Sequence, residues 1–228
     1  MQLNILKHQH KELGQKLLVN LLKYKKYFRK TSLKQEGIGE HFLNEIASKK
    51  PKNFLEIGVF HGVTARNVCE LLHSIHGNDF KYVGLDLFGE SAENANEVIP
   101  NTKFNNPLKR IYFEYILRQD PYSIEGVSYL LKKFEKNTYL IKGNSNNLLK
   151  KIEMSKIDYV FLDGGHAYET VKSDLESCIP VIENHGTVLC DDYDLSYAPG
   201  VKKAIDEFIE IYKYKVKIIS SRFARIER

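Results

Sequence analysis

The stretch IDYVFLDGGHAYETVKSDL (residues 157–175) decides the fold. Its apolar run, Tyr159-Val160-Phe161-Leu162, has the length and residue types of a buried strand and stops at Asp163. Gly164, Gly165 and His166 follow. Then Val171, Leu175, Cys178 or Ile179, and Ile182 mark one face of a helix predicted over about 167–183. The pattern returns in GTVLCDDYD (186–194), an apolar run that ends in Asp191-Asp192.

Outward from these two segments the alternation continues. NFLEIGV (53–59), KYVGLDLF (81–88) and TYLIKG (138–143) read as strands. GVTARNVCELLHSIHG (62–77), NNLLKKIE (146–153) and PGVKKAIDEFIEIY (199–212) read as helices, the last with Pro199 in a first turn that tolerates it. KVKIISSRFARIER (215–228) reads as an antiparallel hairpin about Ser220-Ser221. Strands alternating with helices predict an α/β chain with a mostly parallel sheet covered on both faces.

The 228 residues suit one domain with some decoration, and 43% hydrophobic with 28% charged residues suits a soluble globular chain. No apolar run approaches a membrane span, and the lysines of residues 1–30 leave no signal-peptide core. Cys69, Cys178 and Cys190 are odd in number and lie in apolar segments, which predicts buried thiols in a reduced, cytoplasmic chain. The charge is uneven. Residues 1–36 hold nine basic and two acidic residues, the remainder 25 basic and 27 acidic. Leu13, Leu17, Leu18, Leu21 and Leu22 recur at helical spacing, followed by the basic aromatic cluster KYKKYFRK (23–30). We expect residues 1–36 to form a basic amphipathic helical segment packing on the domain or on a second subunit in a homo-oligomer. Contact with an acidic surface, a membrane (weakly) or a nucleic acid, is the alternative.

In such sheets ligands sit at the carboxyl ends of the strands. The first strand ends Glu56-Ile57-Gly58-Val59-Phe60-His61-Gly62, where two glycines allow a tight turn ahead of a helix N-terminus. The second ends at Asp86, placed to accept ribose hydroxyls. Three bulky residues stand between the glycines where a dinucleotide site wants G-x-G-x-x-G, and Glu56 would repel a phosphate but welcome an ammonium. These features favour S-adenosylmethionine over NAD.

With those motifs in place, FLEIGVFHGVTA, YVGLDLF, IKGNS, YVFLDGGHAYETVKSDL and TVLCDDYD resemble, in order and spacing, the class I S-adenosylmethionine-dependent methyltransferases over roughly 37–228. They look most like the metal-dependent O-methyltransferase branch of macrocin and other antibiotic-sugar methyltransferases and cephalosporin-hydroxylase-like proteins. The resemblance implies a Rossmann-like seven-stranded sheet of order 3-2-1-4-5-7-6. It implies Glu56, Gly58, Phe60, His61 and Gly62 around the cofactor, Asp86 on the ribose, and Asn144-Ser145 beside the adenine, where the family usually has Asp-Ser. It also implies Asp163, Asp191 and Asp192 as ligands of Mg2+ or another divalent cation, with Asp163 lining the cofactor site too. Gly165 stands where many sugar-methylating members carry a second Asp, and His166 follows it.

The implied chemistry is O-methylation of a sugar, glycan or small natural-product-like acceptor with a free hydroxyl. Three pooled carboxylates repel unless a cation joins them, and all-oxygen ligands suit magnesium. Both Asp191 and Asp192 reach such an ion only if the chain turns there. Catalysis would fall to Asp163 and to His166, whose imidazole suits proton abstraction near neutral pH. Residues 88–137, rich in Phe and Tyr, are expected to form a helical lid or insert. Two rivals are a nucleic-acid methyltransferase and a non-catalytic S-adenosylmethionine-binding protein. The first lacks the Asn/Asp-Pro-Pro-aromatic signature and has a slightly acidic body, so no nucleic-acid partner is expected.

Overall fold

The computed structural model describes residues 23–90 and 101–228, so the leucine-striped part of the expected N-terminal helix lies outside the described residues. One sheet organises the chain: β1 (Asn53–Ile57), β2 (Lys81–Asp86), β3 (Thr138–Lys142), β4 (Tyr159–Leu162), β5 (Thr187–Cys190), β6 (Lys215–Ile219) and β7 (Phe223–Glu227). Its order is β3-β2-β1-β4-β5-β7-β6, parallel except for β7, which is antiparallel to both neighbours.

The helices are α1 (Ile38–Lys49), α2 (Val63–His76), α3 (Pro107–Ile111), α4 (Ile124–Leu131), α5 (Ser145–Leu148), α6 (Tyr168–Ser177), α7 (Ile179–Glu183) and α8 (Pro199–Tyr212). Alternation along each strand divides the core in two. Phe54, Tyr159, Phe161 and Leu189 pack with α1, α2 and α4. Leu55, Ile57, Val160, Leu162, Val188 and Cys190 pack with α6, α7 and α8. α1 buries Phe42, Leu43, Ile46 and Ala47 on one stripe, and Phe42 meets Phe161 at 4.5 Å between ring centroids. All three cysteines are buried and unpaired with one another.

Two elements differ from expectation. The helix predicted over 167–183 is two helices, α6 and α7, broken at Cys178. Pro180 explains the break, because it has no N–H to donate and its ring would clash with the carbonyl four residues earlier. Residues 23–31 are not helical; they run as extended chain and turns, followed by a single 3-10 turn at Ser32–Lys34. They are tied down by side chains instead. Tyr24 Oη pairs with the hydroxyls of Thr31 and Thr64 at 2.9 Å each. The Lys25 amide donates to Asn67 Oδ1 at 2.9 Å. No described helix is long and apolar enough to cross a membrane.

Candidate active site

Strand register assembles the site. Leu85, Ile57, Leu162 and Cys190 stand side by side across β2, β1, β4 and β5. The next residue of each strand is therefore Asp86, Gly58, Asp163 and Asp191, one row at the carboxyl edge. Alternation sends this row toward the α1/α2 face, as it does Glu56. Gly58 has to be glycine: its φ is +93°, and a Cβ there would lie 1.9 Å from the Asp163 carbonyl oxygen.

The loop from Gly58 to Gly62 is held by Asp86, whose Oδ2 accepts from the amides of Val59 at 2.8 Å and Phe60 at 2.9 Å. Its Oδ1 accepts from Phe88 at 2.8 Å. Asp86 thus shapes the loop through its carboxylate. Phe60 (φ +50°) stacks on His61 at 4.2 Å between centroids. His61 is fully buried, and burial together with Arg29, Lys30 and Lys109 drives its imidazole down to about 3. Asn144 caps α5, its side chain accepting from Asn146 at 2.9 Å, and Ser145 opens that helix.

Glu56 does not meet its neighbourhood as the carboxylate expected. It is completely buried and accepts a hydrogen bond from the Tyr82 hydroxyl, and its Oε1 has no partner. Burial, with a contribution from Asp86, pushes its carboxyl up to about 8, so near neutral pH it is mostly protonated. That orphaned buried oxygen fits a cationic nucleoside that would supply the missing charge.

At the other end of the row, ligand atoms of Asp163, Asp191 and Asp192 lie within 4.8 Å of one another. The chain does turn at Asp192 (φ +58°), which brings it beside Asp191. A cation that the sequence reading missed also enters: Arg222. Its Nε and Nη2 donate to both oxygens of Asp191 at 2.5 and 2.6 Å, and Nη2 stands 3.3 Å from Asp192 Oδ1. The three carboxylates are therefore not without a counter-charge. Signals existed. β7 runs antiparallel to β5, so the residue entering β7 after the Ser220-Ser221 turn must lie beside the end of β5.

The electrostatics follow from these partners. Burial and the neighbouring carboxylates push Asp163 well above the usual range. Burial also raises Asp191, although Arg222 pulls it back. Burial acts the same way on Asp192, but hydrogen bonds from His166 and Tyr197 and the Arg222 charge overcome it and hold it low. Among the described residues no ion pair reaches Asp163. With all three acids ionised, Arg222 leaves two negative charges, the complement of one divalent cation. In number, charge and oxygen chemistry the cluster fits such an ion.

His166 Nε2 lies 2.9 Å from Asp192 Oδ2. Tyr197, another residue the sequence reading missed, donates to Asp192 Oδ1 at 2.7 Å and stands edge-on to the His166 ring at 5.8 Å. The start of α8 presses on the backbone here: a Cβ on Gly200 would lie 2.6 Å from the His166 carbonyl oxygen. The PG of 199–200 is thus a packing requirement as well as a helix start.

Over residues 55–193, more than half of its length, the chain matches a family described as "Methyltransferase domain". The chain belongs to this family, and with this sheet order it is a class I S-adenosylmethionine-dependent methyltransferase. Solved structures of similar fold include the O-methyltransferase NovP (TM-score 0.61, 16% identity, 95% of this chain and 98% of that one). CalS11, a TDP-rhamnose 3'-O-methyltransferase of calicheamicin biosynthesis, matches at TM-score 0.56 and 15% identity over 86% of this chain and 81% of that one. A Podospora anserina methyltransferase with bound S-adenosylhomocysteine matches at 0.54 and 18% over 94% and 86%. No curated protein sequence matches the chain.

Proposed function

We propose that the protein transfers a methyl group from S-adenosylmethionine to a hydroxyl of a sugar, glycan or small natural-product-like acceptor, aided by a divalent cation. The observation that carries this is the pairing of His166 with Asp192 inside an acidic cluster next to a methyltransferase cofactor loop. CalS11, a TDP-rhamnose 3'-O-methyltransferase among the structures of similar fold, supports the acceptor class.

His166 acts as the general base. Its Nε2 is held by the hydrogen bond to Asp192, which fixes the ring beside the acid cluster. Asp192 holds the ring and stabilises the imidazolium that forms. Tyr197 and Arg222 in turn hold Asp192, so the carboxylate stays ionised beside the histidine. Asp163 and Asp192, with Asp191 beside them, would hold the divalent ion, which lowers the pKa of an acceptor hydroxyl when bound. Asp86 holds the cofactor by its ribose, Glu56 holds its positive end by giving up its proton when the cation binds, and Asn144-Ser145 lie toward its adenine. The insert, through Phe104, Tyr122 and the cofactor-loop aromatics, encloses the acceptor.

The test is radiolabelled methyl transfer to a panel of hydroxylated sugars, nucleotide sugars and phenols, with and without EDTA and magnesium. Transfer that the chelator stops and magnesium restores is expected. Transfer only to nitrogen acceptors, or none to any hydroxyl, overturns the reading.

A further inference from the structure

The basic cluster of residues 23–30 holds one cation that water barely touches. The Arg29 residue is 5% exposed. Its Nη1 donates to the carbonyls of His61 at 3.1 Å and Pro121 at 2.8 Å, and its Nη2 to the carbonyl of Gly126 at 2.8 Å. The first belongs to the cofactor loop. The other two belong to the insert, on either side of the start of α4. The guanidinium also faces the Phe113 ring at 5.5 Å. No carboxylate pairs with Arg29 among the described residues. A buried cation without an acid is costly, and here burial lowers it only to about 10, so it remains charged and depends on those carbonyls.

The adjoining residue continues the grip. The Lys30 amide donates to His61 Nδ1 at 3.4 Å, so the segment holds the backbone and the ring of the same cofactor-loop residue. Lys30 Nζ donates to the carbonyls of Asn101 and Lys103, and Lys109 Nζ returns a bond to the Arg29 carbonyl at 3.2 Å. The insert side is closely fitted as well, since a Cβ on Gly126 would lie 2.2 Å from the Asp120 carbonyl oxygen.

We propose that Arg29 is a positioning residue for methyl transfer: it locks the cofactor loop to the insert through the carbonyls of His61, Pro121 and Gly126. Cofactor binding at one end then orders the acceptor cover at the other. The physical basis is geometric. A planar fork with several fixed donors can satisfy three carbonyls from two separate segments at once, whereas a lysine offers a point charge on a flexible stem. Two segments sharing one buried donor group lose their order together, so a ligand that stabilises one stabilises the other. This inference rests on the assignment of residues 58–62 as the cofactor loop.

Hydrogen exchange with and without S-adenosylhomocysteine tests it, on the full chain and on Arg29→Met and Arg29→Lys, with affinities from calorimetry. In the wild type, the ligand should slow exchange in residues 59–63 and in 120–131 together. Arg29→Met should weaken S-adenosylhomocysteine about tenfold or more and abolish the ligand's protection of 120–131. Arg29→Lys, which keeps charge but fewer donors, should fall between. If Arg29→Met fails to fold, the lysine variant decides by the same two readouts. A wild-type chain that binds no S-adenosylhomocysteine removes the cofactor-loop assignment itself. Wild-type binding, with unchanged affinity and unchanged linked protection in the folded variant, overturns the role of Arg29 alone.

Discussion

Glu56 is the residue whose chemistry changed most between sequence and structure. As a carboxylate it would greet a cation; buried under Tyr82 with an orphaned oxygen, it keeps its proton until about pH 8. The sign of the consequence is fixed. A carboxyl with a raised folded pKa binds more protons folded than unfolded, so stability falls as pH rises from about 4.5 toward 8. Denaturant titrations between pH 5 and 8 should show that slope, and Glu56→Gln should flatten it. Arg222 obeys the opposite logic. It satisfies a carboxylate that has no other route out of the protein, so Arg222→Met strands Asp191 and should cost roughly 3–5 kcal/mol, measured by urea unfolding. His166→Ala should leave S-adenosylhomocysteine affinity nearly unchanged while slowing methyl transfer roughly 10²–10⁴-fold, the span of general-base catalysis. A rate within threefold of wild type would reduce His166 to a packing role.

At the scale of elements, the strand ends do most of the assembly. Register alone lines up Asp86, Gly58, Asp163 and Asp191, and any slip would separate them. Gly58→Ala should therefore be worse than the roughly 1–3 kcal/mol cost of a strained residue, because its methyl would strike the Asp163 carbonyl as well. Thermal unfolding and loss of S-adenosylhomocysteine binding together report it. The strands and the carboxylates at their ends were legible in the sequence because period and apolar runs are local signals, whereas the strand order came from the family resemblance alone. What was not legible is contact across the sheet. Arg222 meets Asp191 only because β7 returns antiparallel, and Arg29 meets Gly126 across 97 positions. The α6–α7 break had a local sign in Pro180 that helix periodicity obscured.

Across the whole molecule, the parts form two linked halves. One, built on β1 and β2, carries the Gly58–Gly62 loop, proposed to hold the cofactor, under the insert. The other, built on β4, β5 and β7, carries the acid cluster with His166. Gly58 joins them, wedged against Asp163. Both halves are expected to serve one reaction, and calorimetric binding of S-adenosylhomocysteine to the full chain and to Asp86→Ala tests this. The predicted result is one site of micromolar-scale affinity in the wild type, weakened about tenfold or more when the Asp86 carboxylate is removed, roughly the 1.5–3 kcal/mol of a charged hydrogen bond. No binding by the wild type, or equal binding by both proteins, would contradict it.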